Sequence, residues 1–204
     1  MSRPLAPFDR NAAFWEDDFD YTDGPLEDVG GWIASPNFDA PLEVIAHDAT
    51  LPATGQDGSI VEDPLALLQL ADSWQIEVTL QLPAVGVSPV YAFINLYSDG
   101  FAFLTCQISA GPGETEPGYA GVSVADVASN AITIASTPFA RNSSHNLIFT
   151  FDGSDLYFTI DGIAKGTIAG FVVLPFEGAQ FEIGAYTDAA PINILFKSVS
   201  ILQP

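Results

Sequence analysis

An all-β fold, two antiparallel sheets packed face to face in a single domain, is predicted by three features of the sequence. The first is alternation: Trp74, Ile76, Val78, Leu80 and Leu82 alternate with Gln75, Glu77, Thr79 and Gln81, the pattern of a strand with one buried face. The second is turn chemistry. Asp152-Gly153, Asp161-Gly162 and Ser98-Asp99-Gly100 separate such runs, and Gly in each tolerates the positive φ that a tight reversal needs. The third is the recurrence of Gly and Pro at short intervals with no long helical period, in a chain of 204 residues that is 48% hydrophobic. That apolar content suffices for one sizeable core.

Residues 1–14 carry Pro4 and Pro7 among small and polar residues and read as an extended N-terminal arm, leaving 15–204 as the sandwich. Trp32 to Ile45 predicts a strand pair interrupted by Pro36 and Pro41, and Ala46 to Asp63 a long loop at the rim. Pro64 to Leu70 fits one helical turn, with Asp63 as its N-cap. Ser73 to Leu82 is the clearest strand. Val90 to Tyr97 and Phe101 to Ile108 form a hairpin of nearly all apolar strands, which places them mid-sheet. Tyr119 to Val127 and Ala131 to Ile134 make another hairpin around Ala128-Ser129-Asn130. His145 to Ile168 is a three-stranded meander, Gln180 to Tyr186 a further strand, and Asn193 to Leu202 the last. Its alternation slips between Phe196 and Val199, the mark of a bulge.

The chain has 26 acidic and 5 basic side chains, a net charge of -21. That balance argues against nucleic acid and against adsorption on an anionic membrane, because no basic patch can be assembled, and the lack of an uninterrupted apolar run of spanning length argues against membrane insertion. It suits a saline setting, where self-repulsion is screened. Cys106 is alone, in an apolar run, and reads as a small buried hydrophobe. The first twenty residues lack the apolar core of a signal peptide.

Asp18, Asp20 and Asp23 lie in a dense acidic run that could hold Ca²⁺, an ion that takes several oxygen ligands; a solvated acidic edge is the alternative. Val29 stands where an EF-hand loop needs its bidentate Glu, so that motif fails. A glycan site needs aromatic faces and polar groups for hydroxyls. Trp15, Tyr21 and Tyr119, with Asp99 and Asn130, are the candidates for it.

The His145 to Ile168 meander resembles the late meander of concanavalin A-like (laminin G-like) jelly rolls. Asp17-Asp18-Phe19-Asp20-Tyr21-Thr22-Asp23-Gly24-Pro25-Leu26 followed by Trp32 resembles the opening of bacterial and phage modules in that superfamily. The resemblance implies a last strand that pairs near the opening one. It also implies a virion or extracellular component, such as a capsid decoration, head or tail fibre or adhesin, assembled as a homo-oligomer or with other virion proteins and in contact with glycans. A free, calcium-assisted carbohydrate-binding domain and a glycan-cleaving enzyme are the alternatives. The hydrolases among such folds carry Glu-x-Asp-x-Glu on one strand, and this sequence has no such triplet. The expectation is therefore that the protein is not an enzyme.

Overall fold

A computed structural model describes residues 13–34, 42–50, 57–62, 73–82, 90–98, 101–110, 119–126, 128, 130–138, 142–171, 180–187 and 194–202. The chain opens with β1 (Ala13–Asp17), β2 (Gly24–Pro25), the one-turn helix α1 (Leu26–Val29), β3 (Ile33–Ala34), β4 (Glu43–Ile45) and β5 (Asp48–Thr50). There follow β6 (Asp57–Glu62), β7 (Trp74–Gln81), β8 (Val90–Ser98), β9 (Phe101–Ala110), β10 (Tyr119–Asp126) and β11 (Ala131–Pro138). The rest is β12 (Ser144–Phe151), β13 (Leu156–Ile160), β14 (Ile163–Ile168), β15 (Gln180–Thr187) and β16 (Leu195–Leu202).

These strands form two antiparallel sheets. One has nine strands in the order β14-β13-β12-β7-β16-β5-β4-β2, with β1 also paired to β16; the other has seven, β11-β10-β9-β8-β15-β6-β3. Their inward faces share one core, in which Trp74, Ile76, Val78 and Leu80 of β7 meet Ile94, Leu96, Leu104 and Cys106 of the opposite sheet, all essentially inaccessible. Each such side chain contributes roughly 1.5–3 kcal/mol of burial. Phe149 and Phe158 stack across the β12/β13 pair with centroids 5.0 Å apart. Cys106 is fully buried and its thiol pKa is pushed up by burial, as befits a packing residue.

The turns explain part of the acidity. Asp152 accepts the N–H groups of Ser154 (2.9 Å) and Asp155 (2.8 Å) and the Tyr157 hydroxyl (3.0 Å). These bonds, led by the one from Asp155, hold the Asp152 carboxyl below its usual range. Asp155 in turn accepts from the Gly170 N–H at 2.9 Å, tying the β12/β13 turn to the end of β14.

The meander, the β8/β9 and β10/β11 hairpins and the pairing of β16 with β1 all follow the sequence expectation. The register of β16 shifts between Phe196 and Ser198, where the alternation slips. Three features differ. The two strands described between Trp32 and Ile45 do not pair with each other: β3 joins the seven-stranded sheet through β6, and β4 joins the other through β5. The long rim loop contains β5 and β6, because pairing with β15 supplies what the small polar residues of β6 lack in propensity. Helix α1 is too short for any periodicity to announce. Residues 1–12 and the expected turn at Pro64 to Leu70 lie outside the described residues. Among the described residues no helix is long and apolar enough to cross a membrane.

Candidate functional site

Alternation gives β8 two faces. Ala92, Ile94 and Leu96 point into the core, so Tyr91, Phe93, Asn95 and Tyr97 stand on the outer face of the seven-stranded sheet. On neighbouring β15, Phe181, Ile183 and Ala185 point inward, which places Glu182 and Gly184 outward. The register sets Asn95 opposite Glu182 and Phe93 opposite Gly184. A Cβ at position 184 would fall 2.0 Å from the Phe93 ring. The missing side chain is thus what lets that ring lie against the sheet.

A polar knot sits beside this aromatic stripe. The Asn95 amide donates to Glu182 Oε1 (3.2 Å) and to the Tyr97 hydroxyl (3.1 Å), and Tyr97 also hydrogen-bonds Glu182. Glu182 is 5% exposed and Asn95 6%, low values for side chains on an outer face. Burial pushes the Glu182 pKa up to about 7, against the hydrogen bonds from Asn95 and Tyr97. Burial, then the nearby Glu182 charge, pushes Tyr97 up to about 12. Asn95 Oδ1 is buried with no hydrogen-bond partner among the described residues. Half-buried aromatic side chains, an unsatisfied amide oxygen beneath them and a carboxylic acid that titrates near neutrality therefore lie together on this face.

Of the residues singled out from sequence, Trp15, Tyr21 and Asn130 lie elsewhere. Trp15 packs edge-on against Trp32 (5.6 Å) and near Phe181 (6.4 Å). Tyr21 donates its hydroxyl to Asp17 (3.1 Å), which also accepts from Trp32 Nε1 (2.6 Å) and from the N–H of Phe19 (2.7 Å), a residue held at φ 56°. Asn130 clamps a turn, its N–H and side-chain amide both on Asp126 (2.8 and 2.9 Å). Tyr119 opens β10 opposite Pro138, but its side chain, like Asp99, lies outside the described residues.

The acidic run is dispersed among separate tasks. Asp18 accepts from the N–H of Asp20 (3.2 Å), Asp20 meets His47 Nδ1 (2.7 Å), and Asp23 accepts from the N–H of Ala46 (2.9 Å). Among the described residues no group of three acids, histidines or cysteines could hold a metal ion, so the proposed calcium set does not converge. A cleft of about 370 Å³ lined by Glu16, Asp17, Asp18, Ser198, Val199 and Ser200 opens beside it, but Asp17 and Asp18 are already engaged in the bonds just described.

No protein-family model and no curated protein matches this chain. Solved structures do. The CBM2 module of the evolved Dit of Lactobacillus casei BL23 phage J-1 superposes with a TM-score of 0.61 at 13% identity, over 94% of this chain and 95% of that one. The laminarinase of Rhodothermus marinus gives 0.64 at 12%, over 94% and 96%. The carbohydrate recognition domain of Emp46p, in its potassium-bound form, gives 0.63 at 10%, over 96% and 98%. The chain has the concanavalin A-like jelly-roll fold. Glucanases recur among the jelly rolls that match, and this corrects the expectation that the protein is not an enzyme: the fold is one on which glycan cleavage occurs, and a missing Glu-x-Asp-x-Glu triplet does not exclude it.

Sequence reasoning missed the β8/β15 surface for a specific reason. Tyr91, Phe93, Asn95 and Tyr97 alternate with the apolar Ala92, Ile94 and Leu96, so the strand looks apolar on both faces. The signal that could have found them is the pairing of a Glu on one strand with a run of aromatics at alternate positions on the next.

Proposed function

We propose that this jelly roll is a glycan-binding module whose site is the outer face of the seven-stranded sheet, on β8 and β15. The observation that carries the reading is the stripe of Tyr91, Phe93 and Tyr97 beside the Asn95–Glu182 pair. Sugar rings present apolar C–H faces to aromatics and hydroxyls to amides and carboxyls, and this surface supplies both. A phage carbohydrate-binding module and a carbohydrate recognition domain among the matched structures support the same reading. The phage neighbour also supports placement on a virion surface, where cell-wall or surface polysaccharide is the partner to bind.

Screening the protein against a polysaccharide array and titrating the hits by calorimetry tests it. Phe93→Ala should weaken binding about tenfold at unchanged fold. Gly184→Val, which evicts the Phe93 ring, should do the same without removing an aromatic. Full affinity in both variants places the glycan elsewhere.

A second reading rests on Glu182 itself. A carboxylic acid with a pKa of about 7 is suited to protonate a glycosidic oxygen. Gly184 and Gln180, two positions either side of Glu182 along β15, are not acids, so the second carboxylate of such a mechanism would come from another strand. Release of reducing ends from β-1,3- or mixed-linkage β-glucan, abolished by Glu182→Gln, would establish this reading. Binding without cleavage would leave the first.

A further inference from the structure

At the rim of the sandwich, where the nine-stranded sheet ends beyond the β12/β13 pair, three side chains lie in line. His145 Nδ1 is 2.7 Å from Asp161 Oδ2, and His145 Nε2 is 3.2 Å from Ser143 Oγ. The backbone fixes all three. Asp161, the first residue of the β13/β14 turn, is held at φ 52° with its N–H on the Asn146 carbonyl (2.9 Å), while its second oxygen accepts the Asn146 N–H (2.9 Å). Asn142, also left-handed at φ 60°, bonds the Leu82 carbonyl (3.0 Å) and turns the chain so that Ser143 enters β12 at the rim.

The tautomer follows from the chemistry of the partners. An ionised carboxylate only accepts, so the ring proton sits on Nδ1, and Nε2 presents its lone pair to the Ser143 hydroxyl. His145 is buried, with a side chain 9% exposed, and Ser143 is half-buried. From this geometry we propose that Ser143, His145 and Asp161 form a nucleophile, general base and orienting acid that cleave carboxylic esters of small acyl groups. The inference is independent of the glycan surface, which belongs to the other sheet.

The step is an ordinary acyl transfer. Ser143 Oγ bonds to the acyl carbon as its proton passes to Nε2. The bond from the acyl carbon to the leaving oxygen then breaks, and the Nε2 proton goes to the departing alkoxide. Water, giving its proton to the same nitrogen, releases the acid and restores the hydroxyl. Asn146 directs both of its backbone groups to Asp161, so alternation sends the Ser144 N–H to that same side of β12, past the end of β13. This is the donor that would meet the transient oxyanion. The net charge of -21 favours neutral or cationic esters over anionic ones.

The full chain should be treated with a fluorophosphonate, which adds to a nucleophilic serine with loss of fluoride, and the adduct located by peptide mass. The expected result is one adduct, on Ser143, forming on the order of 100-fold more slowly in His145→Gln. Hydrolysis of p-nitrophenyl acetate should fall with it and vanish in Ser143→Ala, with thermal unfolding confirming that each variant folds. No adduct on the folded wild type, an adduct elsewhere, or unchanged hydrolysis in Ser143→Ala would overturn the proposal and leave a structural clasp. The adduct map needs no variant, so it decides even where a substitution disturbs folding.

Discussion

Glu182 shows how one residue can couple the site to stability. Its carboxyl titrates at about 7 in the folded chain against an ordinary value of 4.5, because burial disfavours its charge. Between those two values the folded state keeps a proton that the unfolded chain has released. Stability from this group is therefore fully present below about 4.5 and is lost as pH rises through about 7, by about 3 kcal/mol in all. Urea unfolding at pH 5 and pH 8 should show wild type losing stability relative to Glu182→Gln across that interval; parallel behaviour of the two would mean that Glu182 is solvated. Asp17 is the contrasting case, a buried carboxylate surrounded by three donors that joins β1 to Trp32. Neither residue is legible from sequence as anything but one acid among 26, since what distinguishes them is the neighbour each meets across the fold.

Among elements, legibility tracked the strength of alternation. β7 and β12 alternate strictly and were readable residue by residue; β3, β4 and β5 are two or three residues long, and no period exists in so few. β6 is defined by β15, a partner well over a hundred residues away. The same dependence on distant partners governs the rim, where β14 and β11 close the two sheets against each other. A register shift between Phe158 and Thr159 brings Gly166 opposite Phe158, and a Cβ at Gly166 would fall 2.7 Å from the Ile132 side chain. Gly166→Val should therefore prise these edges apart and cost about 1–3 kcal/mol, measurable as an earlier denaturation midpoint. Pairing it with Ile132→Ala should recover part of the loss, and strict additivity would mean the two residues do not meet.

At the scale of the whole molecule the charge was legible at once, and its use only in part. Many carboxylates are spent locally on turns, as at Asp152, Asp126 and Asp161, yet the net -21 remains. Self-repulsion should make the fold salt-sensitive. Raising NaCl from 0.1 to 1 M shortens the screening length from about 10 to about 3 Å, and the melting temperature should rise by roughly 3 °C or more. A flat response would show that opposite charges already compensate within the structure. The position of β16 has a different consequence. Residues 195–202 lie between β7 on one side and β1 and β5 on the other, so the middle of the larger sheet is supplied by the last strand described. During translation the early strands must wait for residues 195–202, holding apolar edges open until that segment has been made. Folding is then a long-range event, slow for its size, and the nascent chain is aggregation-prone for as long as β16 is missing.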